Sequence, residues 1–182
     1  MKPLTNPVAI AALNRVIETA RSRPAPRHSF NSRTADKYVL RGFDELFSEL
    51  EAIGRHQGRS TNSEVIAAIL EALDGCRVSS GTLHILRKHL GPSLSESVLG
   101  EVPDFELANC VTPKKFVIRF PPSVRDKIRE GVKDALSQQA CKTSMNAWIL
   151  DALVYWIKYQ RQHYALLSTS ITMDQLLLTK AG

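Results

Sequence analysis

Two short stretches of the chain alternate apolar and polar residues with the period of a β-strand. In Lys37-Tyr38-Val39-Leu40-Arg41, Tyr38 and Leu40 fall on one face and Lys37, Val39 and Arg41 on the other. In Lys115-Phe116-Val117-Ile118-Arg119, Phe116 and Ile118 take the apolar face. Each stretch is followed by two helical patterns. After the first, Leu46, Phe47, Leu50 and Ile53 mark a helix from about Asp44 to His56, with Gly58 suited to the positive φ beyond its end. Ser60 or Thr61 caps the next helix, Glu64 completing a capping box, and Val65, Ile66, Ile69, Leu70 and Leu73 form its buried stripe. After the second stretch, Pro121-Pro122 opens a helix presenting Val124, Ile128, Val132 and Leu136. A last pattern starts near Ser144 and buries Met145, Trp148, Ile149, Ala152, Leu153, Trp156 and Ile157, with room to run past Tyr159.

The chain therefore repeats strand, helix, turn, helix, with Ser-x-Asn in both turns: Ser60-Thr61-Asn62 and Ser144-Met145-Asn146. One copy of about 40 to 50 residues is too small to bury a core alone, and a lone strand has no hydrogen-bonding partner. The two copies must interlock, within one chain or between chains. The expected organisation is an N-terminal helix (about Asn6 to Arg21) and basic Pro/Arg-rich arm over 1–35, a first motif over 36–75, a partly helical linker over 76–113, a second motif over 114–163, and a C-terminal extension over 164–182. Helices are expected in the linker at Thr82–Leu90 and Leu94–Val98, and in the tail at Ser168–Leu178.

Composition changes the picture through where the charge sits. The net +6 divides into +5 over residues 1–35, −4 over 36–75, −1 over 76–112 and +6 over 113–163. Asp44, Glu45, Glu49 and Glu51 line the first helix of copy one, whereas Arg125, Lys127, Arg129 and Lys133 line that of copy two. On this basis copy two should supply most of the grip on an anionic partner, so Lys115 and Arg119 should outweigh Lys37 and Arg41. Cys76, Cys110 and Cys141 are scattered, with no paired ligand spacing, so no metal or cofactor is expected. No apolar run reaches the roughly 18 residues of a membrane span, and no leader pattern opens the chain. Phosphate-loop, nucleophile-elbow and HExxH patterns are absent, so the chain is read as non-enzymatic. Trp148, Tyr155 and Trp156, at apolar helical spacing, read as core or interface groups.

Strand–helix–turn–helix with Gly58-Arg59-Ser60-Thr61-Asn62-Ser63-Glu64 resembles the Arc/Met repressor superfamily of ribbon-helix-helix proteins, the Arc-like branch in particular. Phe116-Val117-Ile118-Arg119-Phe120-Pro121, with Ser144-Met145-Asn146-Ala147 further on, resembles the same branch. Arg41 and Ser60 are 19 residues apart but Arg119 and Ser144 are 25, which requires a longer first helix or a looser turn in copy two. The resemblance implies a mainly α fold with short β: tandem ribbon-helix-helix motifs sharing one two-stranded antiparallel β-ribbon, plus helical extensions.

By the same resemblance the ribbon enters the major groove of double-stranded DNA, with Lys37, Val39, Arg41, Lys115, Val117 and Arg119 reading bases. Arginine and lysine reach guanine O6 and N7, and valine touches the thymine methyl. Phosphate would be held at the second-helix N-termini by Arg59, Ser60, Thr61 and Asn62, and by Lys142, Ser144, Met145 and Asn146, where free amides and the helix dipole favour anions. Arg59 and Glu64 match two members of a buried ionic triad whose third position holds Ala68. The functions implied are sequence-specific DNA binding in the bacterial cytosol or nucleoid, first as a transcriptional repressor. The alternatives are a relaxosome accessory protein of a conjugative element and an antitoxin-like interaction module. Helices 44–73 and 144–159 are the candidates for a homo-oligomer interface.

Overall fold

The computed structural model describes residues 36–120, 122–138 and 144–180; the helix and basic arm expected over 1–35 lie outside them. The two alternating stretches are strands, β1 (Asp36–Phe43) and β2 (Pro113–Phe120). They pair antiparallel with each other within the chain, Lys37 opposite Arg119, Val39 opposite Val117 and Arg41 opposite Lys115. The protein is thus mainly helical with one two-stranded antiparallel sheet among the described residues.

Helices α1 (Asp44–His56) and α2 (Thr61–Leu73) follow β1. The turn between them is specified by two glycines. Gly58 adopts φ +68°, while its amide bonds Arg55 O and the Arg59 amide bonds Gly54 O at 2.7 Å, which ends α1 with the pairing of a Schellman motif. Gly54 lets the turn fold back closely: a Cβ there would lie 2.7 Å from the Arg59 carbonyl oxygen. Ser60, not Thr61, caps α2, its Oγ accepting the Ser63 amide at 3.2 Å. Glu64 does not close the expected capping box, because its carboxylate is turned into the core.

The segment before β2 holds α3 (Arg77–Leu90) and α4 (Pro92–Gly100), both packed on the last helix. Each is longer than its sequence pattern suggests. Gly81 does not stop α3, and Pro92 starts α4 because a missing amide is harmless in a first turn. After β2 come α5 (Pro122–Gln138) and α6 (Met145–Lys180). At 17 residues α5 exceeds the 13 of α1, which accounts for most of the extra spacing in copy two. The short tail helix expected at Ser168–Leu178 is instead continuous with α6. No glycine or proline interrupts Met145 to Lys180, so nothing stops one 36-residue helix.

The core lies beneath the ribbon. Leu40 and Ile118 project into it, meeting Leu46 and Leu50 of α1, Val65 and Ile69 of α2, Ile128 and Val132 of α5, and Ile149, Leu153 and Ile157 of α6. All of these are essentially buried. Phe47 stacks on Phe116 with ring centroids 5.0 Å apart, fixing α1 beneath β2. Side chains of Val124 and Leu136 lie outside the described set. Among the described residues no helix is long and apolar enough to cross a membrane.

Candidate nucleic-acid interface

Period-two alternation against a buried helical layer leaves one ribbon face covered and the other open. Lys37, Val39, Arg41, Lys115, Val117 and Arg119 all stand exposed on that open face, whereas Leu40, Ile118 and Phe120 are buried beneath. The two valines at its centre are 49 % and 44 % exposed, a large opening for β-branched residues in a paired strand. The covered face has an ionisable group too. Burial raises the Tyr38 phenol above its usual value, against the lowering effect of Arg41.

The strand edges are held by side chains that the sequence reading had placed in the phosphate turns. Asn146 Oδ1 accepts the Arg41 amide at 2.9 Å and its Nδ2 donates to the Arg41 carbonyl at 2.9 Å. Asn62 does the same to Arg119, at 2.8 and 3.1 Å. Each asparagine therefore clamps the strand of the other repeat. The backbone amides near them are separate groups, and the two turns match: Ser144 Oγ accepts the Ala147 amide at 3.1 Å as Ser60 Oγ accepts that of Ser63. Thr61, Asn62, Met145 and Asn146 occupy the first turns of α2 and α6, with Ser60 and Ser144 exposed just before them. Lys142 lies outside the described residues.

Arg59 is less available than its position in the turn suggests. Its Nε bonds the Oε1 of fully buried Glu64 at 2.5 Å, and a guanidinium nitrogen reaches Gln57 Oε1. The other Glu64 oxygen accepts the Trp156 indole N–H at 2.9 Å. The third place left open by Ala68 is thus taken by an indole from the far half of the chain. Sequence reading found Trp156 as an apolar helical position, but no local signal marks a bond across 92 residues. Gln57 is fixed in turn by α6, its Nε2 donating to Gln160 Oε1 and to the Tyr164 hydroxyl, both at 2.9 Å.

The acidic first helix also differs from its sequence reading. Lys114 bonds Asp44 at 2.5 Å, Arg161 pairs with Glu49 at 3.0 Å and Arg55 with Glu51 at 2.6 Å. Glu45 accepts the Val111 and Thr112 amides at 3.2 and 3.1 Å. Hydrogen bonds from backbone amides, its own foremost, hold the Glu45 carboxyl below its usual value despite some desolvation. Asp44, Glu45 and Glu49 tie α1 to β2, its approach and α6, while Glu51 pairs within α1. The acids of the first helix are therefore engaged with neighbouring groups, which the count of charges along that helix does not show.

Residues 32–75 match the family described as Arc-like DNA binding domain. A curated relative, transcription factor AmrZ of Pseudomonas ogarae, is 39 % identical over 51 residues, which cover 28 % of this chain and 47 % of that protein. The chain thus spans about half the length of the relative it matches. No solved structure matches the chain. With β1, α1, the Gly58–Ser60 turn and α2 all inside the matched segment, this chain carries an Arc-like DNA-binding domain of the ribbon-helix-helix kind.

Proposed function

We propose that the chain binds double-stranded DNA sequence-specifically through the open face of its ribbon and acts as a transcriptional repressor. In this reading residues 36–75 and 114–163 are two ribbon-helix-helix motifs that share one ribbon within a single chain. The observation that carries it is the convergence of Lys37, Val39, Arg41, Lys115, Val117 and Arg119 on one exposed strand-pair face. Such a ribbon fits the major groove, and its cations and methyl groups match base-edge acceptors and thymine methyls. The paired helix N-termini at Ser60 and Ser144 flank the ribbon as anion sites for backbone phosphates. Repression follows from occupancy of the duplex, in the cytosol or nucleoid, and accords with the transcription-factor name of the relative.

The test is a titration of labelled duplex with the full chain over a range of salt. Affinity should fall steeply, with log K linear in log salt. Absence of duplex binding at low salt would remove the proposal.

A further inference from the structure

Helix α3 lies outside the segment matched to the Arc-like family and turns one face outward. Ser79 and Leu90 are buried on its inner side. On the outer side Val78 and Ile85 are 62 % and 67 % exposed, two turns apart on one stripe. Gly81 lies between them, with open space where its Cβ would be. The described fold therefore does not require a glycine there, and a glycine in mid-helix weakens the helix. What the missing side chain allows is close approach from outside. Beside the stripe stand Arg77, His84, Arg87 and Lys88, all exposed, and α3 has no acidic residue of its own. Asp74 takes up Arg77 at 3.5 Å, but among the described residues no carboxylate pairs with Arg87 or Lys88. His84, Arg87 and Lys88 instead line an open cavity of about 310 Å3 whose other wall is α4, with Glu96 as its one carboxylate.

We infer that this face of α3 docks an acidic amphipathic helix of another protein. The partner's apolar stripe lies on Val78 and Ile85 across Gly81, and its carboxylates face Arg87 and Lys88, with the cavity open to one of them. The spacing of Val78, Gly81 and Ile85 is that of one helix laid along another. Charge selects the occupant. A two-fold crossing of two copies at Gly81 would set Val78 against Ile85 but also Arg77 against Lys88, and like charges so placed oppose association. An acidic helix meets the same cations with the opposite sign. The C-terminal half of the face also lies far from the ribbon. Asn146, which clamps β1, and Asp174, which pairs with His89 at 3.4 Å, are 28 residues apart on α6, about 42 Å of helix at roughly 1.5 Å each. A partner seated there leaves both strands open, so the inference stands independently of what the ribbon reads.

Synthetic helix-forming peptides with one leucine stripe, flanked by glutamate, glutamine or lysine, are titrated against the full chain by calorimetry at low salt. The glutamate peptide should bind at least about 10-fold more tightly than the glutamine peptide, and the lysine peptide most weakly. Arg87→Glu/Lys88→Glu should reverse the order of the two charged peptides. Gly81→Leu favours the helix while closing the approach to it. It and Ile85→Asp should each weaken the glutamate peptide by at least about 10-fold, with melting temperature and duplex affinity unchanged. Equal binding of all the peptides, or binding of none, overturns the inference. A fall in duplex affinity in Arg87→Glu/Lys88→Glu also overturns it, by making the face a phosphate contact. Self-association of the wild-type chain in sedimentation equilibrium, abolished by Ile85→Asp, overturns it by making the face a contact between copies.

Discussion

The two repeats differ most where they are hidden and least where they are open. On the ribbon surface Lys-Val-Arg is repeated without change, and Asn62 and Asn146 make reciprocal clamps. In the interior, the first repeat buries Glu64 between Arg59 and Trp156, whereas the second sets the indole of Trp148 at the matching position. The helices that follow have also parted, 13 residues in α2 against 36 in α6. A core tolerates many volume-filling solutions. A face that meets one partner surface with both strands, as proposed for this one, has far fewer.

The sharpest way to break this comparison is at its most unequal place. Glu64→Ala removes the partner of Arg59 and of the Trp156 indole and should cost about 3 to 5 kcal/mol in urea unfolding. A loss below about 1 kcal/mol would mean that the carboxylate is not what anchors the first turn. The next test compares equivalents. Leu40 and Ile118 are both 0 % exposed at matching strand positions, so Leu40→Ala and Ile118→Ala should each lose about 2 to 5 kcal/mol, and by similar amounts. A large inequality would show that one strand contributes far more to the core than the other.

Asn62→Ala and Asn146→Ala should be milder, about 1 to 2 kcal/mol each, because two hydrogen bonds to a partly exposed strand edge are lost. Amide exchange should quicken at Arg119 in the first variant and at Arg41 in the second. Exchange at the same-repeat strand instead would contradict the crossed clamps. The smallest effect concerns pH. Burial lowers the His163 imidazole below its ordinary 6.5, so the unfolded chain binds the proton first. That stability is full above about 6.5 and declines as pH falls toward the folded value. The melting temperature should drop over this window, and less so in His163→Gln.

The strand faces, the Gly58 turn and the first-repeat helices were legible because each has a local cause: alternation, a positive φ, an i+4 stripe. Long-range pairings were not. Trp156 meets Glu64 and Asn146 meets Arg41 from opposite ends of the chain, 92 and 105 residues apart. The partners of the acidic helix were hidden for the same reason. Counting charges along α1 shows four carboxylates but not Lys114, Arg161 or the amides before β2 that engage three of them. The end of the last helix was missed differently, since Ser168 to Ser170 resembles a break in composition while no residue there stops a helix.

The central claim is that the two triplets together form one DNA-reading face, and a single titration tests it directly. The variant Lys37→Ala/Arg41→Ala/Lys115→Ala/Arg119→Ala would be compared with the wild-type chain at fixed salt on one duplex, selected from random sequences for binding to the wild-type chain. With far-UV circular dichroism and melting temperature unchanged, the account predicts that binding falls by at least about 100-fold, to the level of a random duplex. Unchanged affinity for the selected duplex would contradict it.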